Sequence, residues 1–240
     1  MFSFKGITSQ SMGLRVLNEI NFNAPERDRN LIQIPGRDGN LIVDNGRFDD
    51  VLLTILCRLE VAGRQNVEQA TSKINNWLST DVGYHQFLWH NDPEFEYLAR
   101  IESGTTTTRR LSQLANTMVN FSLHPIKYLR TSMIEREIDN GNILVNSLSM
   151  EAKPLIRILG NGPIRLTVGN QFVDINIPND AKGCKIDTTN QMITILDGNQ
   201  SLSRQMSGEF PKLISGNNPI SWAGNSDFQV FITPRLGALV

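Results

Sequence analysis

Apolar and polar residues alternate along most of this chain, the period of a strand whose two faces meet different surroundings. Val119, Phe121 and Leu123 alternate with Asn120, Ser122 and His124, which predicts a strand with one wet face. Residues 51–61 (Val-Leu-Leu-Thr-Ile-Leu-Cys-Arg-Leu-Glu-Val) are nearly all apolar, which predicts a central strand buried on both sides. One segment departs from the twofold period. Val67, Ala70, Ile74, Trp77 and Leu78 fall at helical spacing. Asn66 and Gln69 have the spacing of a capping box, and Ser79-Thr80-Asp81-Val82-Gly83 closes the run. This predicts one amphipathic helix over about residues 66–79, with its apolar stripe on a sheet.

The pattern changes across residues 125–153. Pro125 closes a strand, Glu135-Arg136-Glu137 is charged, Asp139-Asn140-Gly141-Asn142 reads as a turn, and Lys153-Pro154 follows. The predicted organisation is an N-terminal domain over 1–132 and a C-terminal domain over 133–240. Strands are predicted in the second at 155–159, 163–168, 171–177, 184–187, 192–196 and 228–232. Gly169-Asn170 stands as a two-residue hairpin loop and Asp197-Gly198 as a further turn. Short strands at this spacing indicate a sandwich or barrel.

A sharper local signal lies at Ile34-Pro35-Gly36-Arg37-Asp38-Gly39. Apolar residues in extended spacing precede it (Leu31, Ile32) and a second apolar run follows (Leu41, Ile42, Val43). Proline fixes φ and glycine supplies backbone angles closed to other residues, so the six residues turn the chain back. Residues 40–50 then leave the sandwich, and the excursion is predicted to contact a neighbouring subunit through Pro35, Gly36, Arg37, Asp38 and Gly39.

Composition narrows the function. The chain has 23 Lys+Arg against 24 Asp+Glu: 14 basic and 14 acidic up to residue 132, then 9 and 10. Neither half has the basic excess of a dedicated nucleic-acid binder. Cys57 and Cys184 sit in apolar, strand-like sequence and read as buried thiols rather than a disulfide. Met1-Phe2-Ser3-Phe4-Lys5-Gly6 lacks a signal-peptide core, and no stretch approaches the roughly 20 apolar residues of a spanning helix. The expectation is a soluble chain made in a cytoplasm, without cofactor or metal.

Catalytic patterns find little support. His85 and His90 are five apart, so on one strand they face opposite sides and cannot share a metal. Asp92, Glu94 and Glu96 alternate with Pro93, Phe95 and Tyr97. Such spacing stacks carboxylates along one solvated edge, whereas glycoside hydrolysis needs two opposed across a cleft. There is no Gly-x-Ser-x-Gly elbow, no Gly-x-x-x-x-Gly-Lys-Ser/Thr loop, no Arg-Gly-Asp and no Asp-x-Asp-x-Asp-Gly loop. Thr105–Thr108 with Arg109-Arg110 reads as an exposed hairpin tip. Trp222 either packs in a core or stacks on a sugar. The second role keeps open the alternative of a carbohydrate-binding β-sandwich for host cell-wall glycans.

The ordered set of motifs resembles the distal tail (Dit) proteins of long-tailed, non-contractile bacteriophages. In the first half the carriers are Ile34–Gly39, the apolar run after Val51, Ile74-Asn75-Asn76-Trp77-Leu78 and Gly83-Tyr84-His85-Gln86-Phe87-Leu88. They continue through Asn91-Asp92-Pro93-Glu94-Phe95-Glu96-Tyr97-Leu98-Ala99-Arg100 and Val119–Tyr128. In the second half they are Ala152–Ile158, Gly208-Glu209-Phe210-Pro211, Gly216–Trp222 and Ile232-Thr233-Pro234-Arg235. One departure is Leu123-His124, where relatives often carry a cysteine.

The resemblance implies a mainly β fold: an N-terminal β-sandwich with one helix, then a galectin-like β-sandwich. It implies a homo-hexameric ring at the virion tail tip that joins the tail tube protein to the baseplate and to a tail-associated tip or fibre protein. DNA would pass through its centre in transit, and no membrane is involved. The second module often carries receptor-binding proteins in that family. Such a role needs no catalytic residue, and a near-neutral lining would let DNA pass without gripping it.

Overall fold

The structure is a computed structural model and describes residues 1–17, 20, 22–61, 66–111, 113–198, 200–224 and 227–240. The chain divides into two compact units, Met1–Lys127 with Leu239–Val240, and Tyr128–Ala238.

The first unit contains β1 (Phe2–Phe4), β2 (Ile7–Thr8), β3 (Leu14–Val16), β4 (Arg27–Ile32), β5 (Leu41–Phe48), β6 (Val51–Glu60), α1 (Val67–Ser79), β7 (His85–Trp89), β8 (Phe95–Leu111) and β9 (Leu114–Leu123). Its main sheet runs in the order β2-β1-β7-β8-β9-β6-β3, antiparallel throughout. The core is aromatic. Phe2, Phe4 and Phe87 each lie against Phe121, at centroid distances of 5.7, 5.2 and 5.2 Å. The helix forms where its spacing predicts. Asn66 caps it by accepting from the Gln69 amide at 2.9 Å, and the Gln69 side chain accepts from the Asn66 amide. Its stripe of Val67, Ile74, Trp77 and Leu78 is buried, and the Trp77 indole N–H donates to the Phe4 carbonyl at 3.1 Å.

The chain crosses between the units through β10 (Ile126–Leu129). The second unit holds β11 (Arg136–Ile138), β12 (Ile143–Asn146), β13 (Leu155–Leu159), β14 (Gly162–Val168), β15 (Gln171–Ile177), β16 (Gly183–Asp187), β17 (Met192–Ile195), β18 (Ser207–Gly208), β19 (Gly216–Gly224) and β20 (Gln229–Thr233). Two five-stranded sheets, β11-β20-β13-β16-β17 and β12-β19-β14-β15-β18, face each other over one core. Ile156, Ile158, Ile186 and Ile232 come from the first sheet, and Leu166, Val173, Ile175 and Ile220 from the second. This is the sandwich that the short alternating strands predict.

Three local expectations change. Strand β6 is buried on one face only: Leu53, Ile55, Cys57 and Leu59 point inward, while Leu52 is 56 % exposed and Thr54, Arg58 and Glu60 also face out. Among the described residues no second layer covers that side, so a nearly unbroken apolar run does not here mean two-sided burial. Thr105–Thr108 lie inside the long strand β8, which runs on to Leu111, and not at a hairpin tip. Asp92 and Glu94 precede β8 rather than alternating along it, and Glu96 is buried, accepting from Gln86 at 2.8 Å. The acidic segment is therefore not one solvated strand face.

Candidate functional site

The most unusual surface is the ribbon of β4 and β5, which among the described residues pairs with no other strand. It begins at Arg27, reverses at Pro35-Gly36, and returns to Phe48, two residues before β6 enters the main sheet. The reversal works as its residues dictate. The Arg37 amide donates to the Ile34 carbonyl at 3.2 Å across Pro35-Gly36, and Gly36 and Gly39 have φ of +80° and +76°. The turn sits at the far end of an excursion spanning 27–48. It is not the point from which residues 40–50 depart. Pro35, Gly36, Arg37, Asp38 and Gly39 therefore lie together at the arm's tip and are all exposed.

A two-stranded hairpin is marginal in water, so something must hold the arm in shape. Ion pairs at its base do so. The Arg27 guanidinium grips the Asp44 carboxylate with bonds of 2.9 and 2.7 Å and stacks 5.0 Å above the Phe48 ring. Asp28 accepts from Asn45 at 2.8 Å and from Arg47 at 2.5 Å. These donors hold Asp28 and Asp44 below the usual carboxylate range. At the root, the Asp49 amide donates to the Glu26 carbonyl at 2.9 Å. Asp50 fixes the junction with the sheet. It accepts from the Tyr84 hydroxyl, from Ser122 Oγ at 2.7 Å and from Arg100 at 3.4 Å. Burial pushes the Asp50 carboxyl up, but the two hydroxyls and the Arg100 charge outweigh it and hold it below its ordinary value.

Beyond that base, and before the polar tip at Arg37-Asp38, apolar side chains stand exposed. Leu31 is 54 % exposed and Ile42 59 %, with Ile32, Ile34, Leu41 and Val43 exposed beside them. Scattered exposed apolar residues are ordinary, but six on one narrow ribbon mark an interaction surface.

The other candidate residues do not converge on a reaction centre. His85 Nε2 lies 3.1 Å from Asp81 Oδ2, but the geometry is not that of a hydrogen bond. His90 lies in the turn beyond β7, and His124 Nδ1 accepts from the Ile126 amide at 3.2 Å. Asp92 accepts from the Tyr97 hydroxyl at 2.5 Å and from Lys127 Nζ at 2.9 Å. Burial pushes the Asp92 carboxyl up, but those two donors outweigh it and lower it overall. Among the described residues no group of three or more His, Cys, Asp or Glu could hold a metal, and no helix is long and apolar enough to cross a membrane. Cys57 and Cys184 are free and buried, and burial pushes both thiols up to about 12.

Trp222 stands opposite Leu166 in the β14–β19 register and packs, partly buried, against the second unit's core. An open cavity of about 490 Å³ lies nearby, lined by Pro163, Arg165, Asp174, Asn176 and Gln205. Arg165 and Asp174 satisfy each other there through two bonds of 2.7 Å.

No family model matches the chain, and no curated protein matches it in sequence. Among solved structures it resembles the SPP1 Dit (gp 19.1) protein, described as a paradigm of the hub adsorption apparatus in phages infecting Gram-positive hosts. Identity is 14 %, the TM-score is 0.70, and the match covers 96 % of each chain. At that identity the likeness concerns the fold, and it agrees with the resemblance carried by the ordered motifs. Over nearly its whole length, this chain has the fold of the SPP1 Dit hub protein.

Proposed function

We propose that this chain is a structural hub subunit of a phage tail, not an enzyme. It closes into a homo-hexameric ring at the tail tip, between the tail tube and the adsorption apparatus, with a central passage for DNA. The observation that carries this reading is the conjunction of a Dit fold over 96 % of both chains with an ion-paired arm whose six apolar residues stand exposed. Ring closure requires a head-to-tail interface in which one patch meets a different patch on the next copy. The arm supplies one of those patches, with Pro35–Gly39 at its tip as contact residues. The second unit is the module on which tip, fibre or receptor-binding proteins dock. Light scattering on the purified protein, with negative-stain imaging, tests this. A six-fold ring with an axial opening is expected. A monomer at every concentration, both alone and mixed with tail tube protein, would overturn it.

A further inference from the structure

The outer face of one sheet in the second unit gathers polar groups whose bonding capacity is not spent. Ile164, Leu166, Val173 and Ile175 turn into the core, so alternation turns Pro163, Arg165, Asp174 and Asn176 outward from β14 and β15. The register sets Asn176 beside Pro163 and Asp174 beside Arg165, with Ala223 on the other side of Arg165. Gln205 joins them from the turn before β18. Together they line the open cavity of about 490 Å³, within the roughly 300–1,000 Å³ usual for small-molecule sites. The Arg165–Asp174 pair sets its chemistry. Its two bonds of 2.7 Å make a bidentate fork, and the Phe172 ring supports the guanidinium at 4.7 Å. The fork holds Asp174 below and Arg165 above their ordinary values, so both stay charged and cancel. The pair is shaped before any ligand arrives, and it is not used up. Arg165 keeps its Nη1 donors, and each Asp174 oxygen keeps a lone pair. The side-chain amides of Asn176 and Gln205 make no hydrogen bond among the described residues. Pro163 and Ala223 form a small apolar shelf beside these groups.

We infer that this cavity binds a neutral sugar ring, with Arg165 and Asp174 on two adjacent hydroxyls, Asn176 and Gln205 on a third, and Pro163 and Ala223 under its C–H face. The ligand class follows from elimination. A phosphate or carboxylate needs an excess of positive charge and a cation an excess of negative charge, and the fork offers neither. A purely apolar ligand would desolvate the donors and acceptors without replacing their bonds with water. A hydroxyl both donates and accepts, so two neighbouring hydroxyls match a donor and an acceptor standing side by side. A sugar ring carries such pairs together with an apolar face for the shelf. The site is separate from the arm, and the inference does not depend on the ring reading.

Calorimetric titration of the full chain with the methyl glycosides of glucose, galactose and mannose tests this, with glycerol and glucuronate as controls. Saturable one-site binding of at least one glycoside is expected in the millimolar range, about threefold or more tighter than its weakest epimer and than glycerol. Ala223→Leu fills the shelf without touching the fork and should weaken that binding by about tenfold or more, with the thermal melt unchanged. Asp174→Asn leaves the Arg165 charge uncompensated. It should weaken the neutral glycoside by about fivefold or more and bring in glucuronate, which wild type does not prefer. The site is overturned if no glycoside saturates, if Ala223→Leu binds as wild type does, or if glycerol or glucuronate binds wild type as tightly as the best glycoside. Protection of β14 and β15 from deuterium exchange when copies associate, with no sugar bound, would give the face to a second copy and equally overturn it. A chain that forms the ring and binds no sugar loses this inference alone, and one that binds sugar and never assembles loses the ring reading alone.

Discussion

The first unit contains two long hairpins that treat apolar side chains in opposite ways. The β8–β9 hairpin roots in the main sheet, where Ala99, Val119, Phe121 and Leu123 are fully buried. Its outer half is polar and is tethered to α1: Thr105 bonds Asn75, and Arg109 meets Glu68 at 2.9 Å. The β4–β5 arm inverts this arrangement. Its root is polar and ion-paired, and its outer half carries six exposed apolar side chains. Hydrophobic burial stabilises a fold only where the surface leaves water. The β8–β9 hairpin therefore serves the folding of the unit, and the apolar half of the arm contributes only once another surface covers it.

That contrast sets an order of expected effects. Truncating Phe121, where three other phenylalanines meet, is expected to cost about 3–5 kcal/mol of unit stability in thermal or denaturant unfolding of Phe121→Ala. Loss of less than about 1 kcal/mol would contradict the packing described. Asp50→Asn, at the junction between arm and sheet, is expected to cost roughly 1–3 kcal/mol near neutral pH, since it removes the charge that three donors satisfy. The Asp50 carboxyl titrates below its ordinary value of 3.8 in the folded chain, so its contribution is present above that pH and is lost as pH falls through the lower folded value. Wild type should lose stability in that acid window, and the variant should lose less there. Unfolding curves at stepped pH compare them.

Gly36→Val places a β-branched residue at φ +80°, with no atom within 4 Å to clash, so only the arm's own backbone is strained, by about 1–2 kcal/mol. Assembly should weaken while the unfolding midpoint of the monomer stays within experimental error. A ring that forms normally in this variant would remove the tip from the interface. The smallest effect belongs to the tether. Arg109→Ala breaks an ion pair whose partners are both more than half exposed, and should change stability by no more than about 0.5 kcal/mol. A larger loss would show that the outer half of the β8–β9 hairpin is held by more than its surface contacts.

Periodicity revealed what depends on local chemistry. The helix, its capping box and the strands at 155–159 and 171–177 stand where apolar spacing puts them, because each buries one consistent stripe. Strand β19 was hidden. Gly216–Gly224 is absent from the predicted strands, yet it is the strand between β12 and β14. Pro219 is tolerated because it stands past the last β14 pair. Its carbonyl accepts from the Gly169 amide, and its missing N–H costs no ladder bond. Exposure was equally out of reach. Leu52 and Leu53 are alike as letters, and only the absence of a covering layer separates them. The arm shows both sides of this. Its Pro-Gly reversal was legible, but that Leu31 and Ile42 stand exposed is a property of the assembled unit, which no local window contains.

The salt-linked base of the arm has a consequence for the timing of ordering. A loop that becomes a ribbon only on contact loses its conformational freedom during association, which weakens binding by that amount. Here Arg27, Asp44, Asp28 and Arg47 fix the ribbon's register within the single chain. The entropy is then spent during folding of the subunit, and encounter brings together surfaces already shaped. Because those pairs are exposed, dissolved ions screen them, so concentrated salt should slow association by loosening this preorganisation before it disturbs either hydrophobic core.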